Sequence, residues 1–514
     1  MSGVLTFPSA ASAEELAGYP MNDLGNGMRL MRLVGCRPSP DGDGDWDHSA
    51  STLLYLRNRG WIAFNGRYWD LAGGEEAARR FAHRVAAGLM GQLAAAGAKG
   101  VPIGAWMKFA TNSGSSGSSA AMLAQAASYL AVDLTDFDRD PLALNVANGT
   151  LKFGREAGAA FVQFQPIHNP ADRITRICEA RWEPGAKAPL FAGHVAWCQT
   201  APEMQRYLQK LLGYGMTGVT KEQLFVIFQG KGGDGKSTLI NAVRAVAGSY
   251  SVGAAIETFL DAGMRRGAEA SPDLARLAGD SRFVCTAEPP RGSKLAAATI
   301  KAFTGGGTIQ ARELRQGIFE FTPLGKVFLE CNSRPVINDT DDGIWRRIRI
   351  LLFENQLAKD QIDQDLPDKL KAERDGILAW LVEGVIAWMD EGLATPEAVT
   401  AALDDYRRGS NPFAEWVADR TIREASAWTS ASALYADYKS WCDDNGVDRP
   451  MTQTTFGRAL GDMQFIAKKD SAGKKVRRGI RLRTAADGGL ALDSGVSPGG
   501  PSLEPDPFGP PEFD

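Results

Sequence analysis

Apolar positions fall into two kinds of pattern along the chain, short continuous runs and stripes at helical spacing. The runs LLYLRN and RGWIAFNGRYWDL, within Leu53–Leu71, predict short strands, and Asn65-Gly66 is a hairpin signal. Gly74–Ala96 is Ala-rich at helical spacing and predicts one long helix. The Ser/Gly run TNSGSSGSSA at Thr111–Ala120 predicts a loop inside a domain, with helical spacing resuming over Ala121–Tyr129. LNVANGTLKF, Leu144–Phe153, predicts strand–turn–strand through Asn148-Gly149. Buried strands are predicted at Leu224–Phe228, Arg282–Ala287, Lys326–Glu330 and Ile348–Phe353. Further on, Leu434, Tyr435, Tyr438 and Trp441 predict a helix over Ala431–Cys442. Phe456, Leu460 and Met463 predict another over Thr452–Met463, and a hairpin follows around Asp470–Gly473.

The strongest local signal lies at Phe225–Gly248, where a buried strand runs into Gly230-Lys231-Gly232-Gly233-Asp234-Gly235-Lys236-Ser237-Thr238. The helix that follows is striped by Leu239, Ile240, Ala242, Val243 and Val246. This fits G-x-x-x-x-G-K-[ST] in the context the motif requires. Glycines let successive backbone N–H groups curl around phosphate oxygens, and a helix N-terminus favours the charge. Lys236 would reach the β- and γ-phosphates of ATP, and Ser237 would place a hydroxyl on Mg²⁺. Lys231 reads as a loop charge. Glu288 follows one predicted strand and Asn332 another, and Arg346 and Arg347 precede a third. Such groups can order Mg²⁺, orient the attacking water, or act as an arginine finger.

Composition sets the frame. The chain has 514 residues, 44% hydrophobic and 23% charged, which implies several folded domains. No apolar run reaches the ~20 residues of a membrane span. The segment MSGVLTFPSA lacks a basic and an apolar signal region, so no secretory signal is expected. Six scattered cysteines predict reduced thiols of a cytoplasmic protein rather than a disulfide framework or Cys-rich zinc site. Four histidines leave little for a catalytic metal. The acids at Asp41, Asp43, Asp45 and Asp47 sit among Gly and Pro and predict a solvated turn. Net charge is −4, yet residues 485–514 hold six acids and no base, and without them the balance is +2. That Gly/Pro-rich tail is expected to be disordered, either inert or a mobile segment that docks on partners. Between Lys468 and Arg483 lie eight basic residues, Lys474, Lys475, Arg477 and Arg478 among them, and one acid. Such a hairpin suits phosphate contact.

Seven segments in order carry a resemblance. They are LNVANGTLKF (144–153), LQKLLGYGMTG (208–218), GKGGDGKST (230–238), LARLAGDSRFVCTAEPPRG (274–292), KAFTGGGTIQAREL (301–314), FLECNSRPVI (328–337) and DGIWRRIRILLF (342–353). Together they resemble the helicase part of phage and plasmid primase–helicases, a superfamily 3 group that includes the poxvirus helicase–primase. MNDLGNGMRL (21–30) and the Trp-rich hairpin resemble that family's N-terminal region, so the likeness spans roughly residues 20–484.

The resemblance implies an α/β AAA+ P-loop core at 200–400 with a helical lid. It implies an α+β helicase-associated region at 1–199 and a winged helix at 411–484, with the tail at 485–514 lying beyond the resemblance. It makes Lys236 and Ser237 Walker A, Glu288 Walker B with a share in Mg²⁺, Asn332 the sensor, and Arg346 or Arg347 the finger acting in trans. Arg312–Phe321 falls where the family has its pore hairpin, giving Arg312, Arg315 and the upstream Lys301 as DNA contacts. Ala287 departs from an adjacent acidic pair. The implied activity is ATP-dependent DNA unwinding by a homo-hexameric ring that translocates on single-stranded or forked DNA, 3′ to 5′, with a separate primase or polymerase as partner. No primase activity is expected, because the region upstream lacks an acid pair. Two alternatives stay open. One is a nucleotide-controlled origin binder or loader. The other is a partition-type ATPase switch, since Lys231–Thr238 also fits K-G-G-x-G-K-[ST]-T.

Overall fold

The computed structural model describes residues 11–41, 44–261, 272–312, 318–337, 342–358, 362–410, 412–445, 447, 450–469, 473–484 and 487. The chain divides into two compact units, Met1–Arg407 and Arg408–Asp514.

After a short helix at Ala13–Ala17, the first unit continues with helix Asp23–Leu33, whose N-cap Asn22 accepts from Gly25 N at 2.9 Å. It packs with a four-stranded sheet in the order Trp69–Asp70, Gly60–Phe64, Leu53–Leu56, Ala131–Val132. Asn65 N bonds Tyr68 O at 3.0 Å and closes the expected hairpin. Two expectations fail here. The Ser/Gly run is helical almost throughout, because helices Ile103–Ser113 and Ser116–Tyr129 meet at Gly114 and Ser115. The Ser115 side chain caps the second helix from Ser118 N at 3.2 Å, and buried Ser113 receives Asn26 Nδ2 at 2.9 Å. Serines that compete with a helix backbone in isolation are here used as a cap and a tertiary acceptor. The long Ala-rich helix also breaks. It runs Gly74–Gly88, passes a 3₁₀ turn at Leu89–Gln92, and resumes at Leu93–Ala98. Buried Trp106 donates to the Leu89 carbonyl at 2.8 Å, taking an acceptor that a continuous helix would use. Around Asp41–Asp47, carboxylates of Asp45 and Asp47 accept from Trp46 N and Ser49 N, both at 2.9 Å. Asp43 lies outside the described residues.

Strands Ala143–Val146, Gly149–Glu156 and Ala159–Gln165 form a meander. It leads to a mixed α/β core around a five-stranded parallel sheet. Its strands are β1 (Phe225–Gly230), β2 (Ser251–Ala254), β3 (Phe283–Thr286), β4 (Lys326–Cys331) and β5 (Ile348–Phe353), in spatial order β2-β3-β4-β1-β5. This is a P-loop, AAA+-like arrangement. Both faces are covered, so the strands alternate between two cores. On β1, Val226 and Phe228 join helices Pro202–Gly215, Lys236–Ala247 and Arg374–Glu391, while Phe225 and Ile227 join Phe259, Phe303 and Trp345. All four β1 side chains are fully buried, each contributing about 1.5–3 kcal/mol. Helices Pro202–Gly215 and Arg374–Glu391 cross with backbones touching. A Cβ on Gly384 would lie 2.2 Å from Gln209 O, and one on Gly213 2.6 Å from Gly384 C. Ahead of β3, buried Arg282 binds Asp280 through two 2.6 Å contacts. Nearby, Asp138 accepts from Thr175 N at 2.8 Å and Thr175 Oγ1 at 2.6 Å. Burial, then the charge of Asp280, raises the Asp138 carboxyl to about 6.

The second unit runs helix Pro412–Arg420, strand Thr421–Ser430, helices Ala431–Asp444 and Gln453–Asp462, then strands Ile466–Lys469 and Lys475–Leu482. The last strand lies between the other two, antiparallel to both. Phe413, Trp416, Leu434, Tyr438, Phe456, Leu460 and Ile480 form its core. Trp416 and Trp441 each donate to an Asp, Asp437 at 2.7 Å and Asp419 at 2.8 Å. Of the acidic tail, Asp487 is described and binds Arg481 at 2.7 Å. The rest of the expected tail lies outside the described residues. Among the described residues no helix is long and apolar enough to cross a membrane.

Candidate functional site

β1 ends at Gly230, and a tight loop delivers the chain into helix Lys236–Ala247. Gly232, Gly233 and Gly235 have φ of 90°, 67° and 78°, which other residues rarely adopt. Gly230 and Gly235 also admit close neighbours. A Cβ on Gly230 would meet Asp234 Oδ2 at 1.8 Å, and one on Gly235 would meet Trp197, His194 and Cys198 at 2.6, 2.8 and 2.9 Å.

Those three residues belong to helix Pro189–Cys198, which buttresses the loop. His194 Nε2 bonds Gly235 O at 3.0 Å, and Cys198 Sγ lies 3.8 Å from Asp234 O. Burial lowers the pKa of His194, and because Gly235 O can only accept, Nε2 is the donor of that bond. Burial, with the charge of Asp234 adding, pushes the Cys198 thiol up to about 12. From the other side, the segment after β5 grips the loop. Leu357 N donates to Gly233 O at 3.1 Å and Gln356 Nε2 to Gly232 O at 3.2 Å.

The loop opens on a cleft of about 420 Å³ lined by Gly232–Thr238, Ala287, Glu288, Glu330, Cys331 and Asn332. Lys236, only 6% exposed, is its central cation. Its Nζ donates to Asp234 Oδ2 and Oδ1 at 2.8 and 3.1 Å and to Asn332 Oδ1 at 2.9 Å. Asn332 in turn donates from its backbone N and Nδ2 to the two oxygens of Glu288, at 2.9 and 2.8 Å. Ser237 Oγ donates to Glu330 Oε2 at 2.5 Å. Burial, with the charge of Glu288 adding, raises the Cys331 thiol to about 12.

Strand ends explain this convergence. Parallel strands β3, β4 and β1 terminate side by side, so Glu288, Asn332 and the loop after Gly230 come from distant sequence to one edge. Sequence reasoning missed Glu330, His194 and the Asn355–Leu357 brace. Glu330 did carry a signal, a lone acid inside an apolar strand, two residues before Asn332.

Lys231 is exposed and is absent from the cleft lining. Arg346 is exposed, whereas Arg347 is 7% exposed and donates Nε to Thr304 Oγ1 at 3.0 Å and Nη1 to Gly343 O at 2.5 Å. Strands Ile309–Arg312 and Ile318–Phe321 pair as an antiparallel hairpin with Arg312 exposed at its tip end. Arg315 lies outside the described residues. Lys301 is half-buried on helix Ala297–Thr304.

In the second unit, Lys474, Lys475 and Arg478 are exposed. Arg477 is turned inward, donating Nη1 to Phe465 O at 3.0 Å and Nη2 to Gly457 O. Trp428, 48% exposed, carries Lys468 Nζ and the Arg478 guanidinium each 5.6 Å from its ring.

The donor set around the cleft fits a nucleoside triphosphate with Mg²⁺. A glycine-shaped curl of backbone N–H groups and a lysine could hold phosphates, and the Ser237 hydroxyl with Glu288 could hold the ion.

The family described as D5 N terminal like matches residues 46–213, and the one described as poxvirus D5 protein-like matches residues 408–485. A candidate helicase of Acanthamoeba polyphaga mimivirus is 28% identical over 272 residues, which is 49% of this chain and 28% of that protein. A candidate helicase of Frog virus 3 (isolate Goorha) is 24% identical over 270 residues, 48% of this chain and 28% of that protein. The chain thus spans little more than a quarter of the length of these relatives. Among solved structures, the apo C-terminal region of NrS-1 covers 67% of this chain and is itself covered over 100% of its length. The identity is 12% and the TM-score 0.38.

Proposed function

On the premise that this chain belongs to the D5-like family of viral and phage primase–helicase relatives, we propose that it is an ATP-driven DNA helicase of phage- or plasmid-type replication. The observation that carries this reading is the relay Lys236–Asn332–Glu288 at the strand ends beside a glycine-shaped loop.

In this reading the N–H groups of Gly232–Ser237 cradle the phosphates of ATP. Lys236 exchanges Asp234 for the β- and γ-phosphate oxygens. Mg²⁺, when bound there, would supply charge neutralisation in the transition state. Ser237 and Glu288 would hold it. Asn332 keeps Glu288 aimed at the cleft, where its carboxylate accepts a proton from the attacking water. Such positioning, not covalent chemistry, supplies most of the catalysis in phosphoryl transfer.

Arg346 is the finger that completes a neighbouring subunit's site in a homo-hexameric ring, because it is the exposed member of the pair. Arg347 anchors the turn that presents it. The hairpin Ile309–Phe321, with Arg312, Arg315 and the upstream Lys301, would grip single-stranded DNA and move with the nucleotide state. The second unit, with its helix–strand–helix–helix–strand–strand order, supports a winged helix whose Lys474, Lys475 and Arg478 contact phosphates. The basic face around Trp428 also favours a second reading, a nucleotide-controlled origin binder that does not unwind.

The test is ATP hydrolysis with and without single-stranded DNA, together with unwinding of forked DNA, for wild type, Lys236→Ala and Arg346→Ala. DNA-stimulated hydrolysis and unwinding, both lost in the two variants, support a helicase. Hydrolysis indifferent to DNA, or hydrolysis that survives Arg346→Ala, refutes the inter-subunit motor. Duplex binding without unwinding selects the origin binder.

A further inference from the structure

Walker B sites that use two adjacent acids need one immediately before Glu288, and this chain has Ala287 there. The fold offers a substitute from the next strand. Thr286 on β3 pairs with Leu329 on β4 in parallel register. The ladder ends there, and extending its register by one residue would set Ala287 opposite Glu330, both of which line the cleft. The alternation of each strand fixes their face. Phe283 and Cys285 on β3 and Phe328 on β4 all join the core shared with helix Lys236–Ala247, whereas Val284, Val327 and Leu329 join the opposite core. Ala287 and Glu330 follow in phase and point to the side that carries the Walker-type loop and helix.

Two further facts concern chemistry. Glu330 is half-buried where its strand meets the cleft, and a carboxylate there is more favourable when bonded or charge-compensated. Glu330 meets that condition through Ser237, the hydroxyl that stands where a magnesium ligand is needed. Glu288, meanwhile, has both oxygens engaged by Asn332. The cleft therefore holds two carboxylates with separate partners, one on the water-orienting relay and one on the metal-ligating hydroxyl. Mg²⁺ bound with a nucleotide typically takes one or two carboxylates beside phosphates and water.

We propose that Glu330 is the second carboxylate of the magnesium site, standing in across the sheet for the acid missing at position 287. Its Oε2 keeps the Ser237 hydroxyl proton, which turns the hydroxyl lone pair toward the ion, and its Oε1 joins the ion's water shell. The assignment rests on the nucleotide-binding reading above and adds a residue to it.

The experiment measures affinity of the full chain for a fluorescent ADP analogue in EDTA and in Mg²⁺, and the Mn²⁺ EPR spectrum of the ADP complex. Wild type, Glu330→Gln and Ala287→Asp/Glu330→Gln are compared. Glu330→Gln is expected to bind in EDTA at least as tightly as wild type, since a negative charge beside the phosphates is removed. Its apparent Mg²⁺ affinity should fall about 10- to 100-fold, with an altered Mn²⁺ spectrum, and Ala287→Asp should restore part of the loss. A purely structural role would weaken binding equally with and without metal. Equal Mg²⁺ dependence of wild type and Glu330→Gln overturns the assignment and leaves nucleotide binding intact. No nucleotide binding by wild type under either condition overturns both. Should Glu330→Gln not fold, Glu330→Asp serves the same readout, and an unchanged Mg²⁺ affinity there is again the overturning result.

Discussion

Asp234→Asn is expected to tighten nucleotide binding. Within the loop the Asp234 carboxylate holds donors that a phosphate would use. It accepts from Lys236 Nζ at 2.8 and 3.1 Å, from Gly232 N at 3.2 Å and from Lys236 N at 3.4 Å. A nucleotide must displace it to reach the same donors. The asparagine keeps one oxygen acceptor and loses the charge. A hydrogen bond to a charged partner contributes about 1–1.5 kcal/mol more than a neutral one, so two bonds to the ammonium amount to roughly 2–3 kcal/mol. If the bound state no longer uses Asp234, that loss falls on the nucleotide-free state alone. Affinity then rises by about 30- to 150-fold, and the nucleotide-free protein melts at a lower temperature. The assay is titration of a fluorescent ADP analogue in EDTA, where no metal complicates the charge balance, with thermal unfolding of the nucleotide-free variant alongside. Unchanged or weaker binding would refute the reasoning, for it would mean that Asp234 still braces the loop when phosphate is present.

Arg346→Ala should abolish DNA-stimulated hydrolysis while leaving nucleotide affinity and melting temperature unchanged. Arg347→Ala should lower stability by about 1–3 kcal/mol, because it strips bonds from Thr304 and Gly343 in a buried turn, and thermal unfolding separates the two. Replacing Lys474, Lys475 and Arg478 with alanine should weaken DNA binding and shrink the slope of log K against log salt by about 1 for each phosphate that is no longer neutralised, measured by anisotropy from low to moderate salt. Asp138 has a carboxyl raised to about 6, so the folded chain takes up its proton more readily than the unfolded one. Stability from this group is present in full below about pH 4 and is lost as pH rises through 6. Melting temperature should therefore fall more between pH 5 and 7.5 in wild type than in Asp138→Asn, and parallel profiles would count against the shift.

The loop Gly230–Thr238 and the core strands were legible because their signals are local and strong, glycines at required turns and apolar runs enclosed on both faces. The helices of the second unit followed from pattern as well, whereas the hairpin expected at Arg312–Phe321 came only from the resemblance. The helical character of Thr111–Ala120 was not legible. Serine and glycine disfavour helix on their own, and what reverses them is tertiary, the capping by Ser115 and the contact of Ser113 with Asn26. The break after Gly88 likewise depends on where Trp106 puts its indole N–H. Glu330 and the exposure difference between Arg346 and Arg347 needed register and packing, which no single segment encodes. The charges of the second unit's basic hairpin were visible as a count, but the inward turn of Arg477 toward Phe465 and Gly457 was not.

Cys198 sits behind the phosphate-facing loop with its thiol raised to about 12 and its sulfur packed against Gly235. A thiol so held is almost wholly protonated and sterically closed, so an alkylating reagent reaches it only when the loop and helix Pro189–Cys198 part. Labelling at this one sulfur therefore times an opening event next to the cleft, and any ligand that closes the loop should slow it. Loss of hydrolysis after such labelling would report a wedge driven under Gly235, with no cysteine taking part in the chemistry.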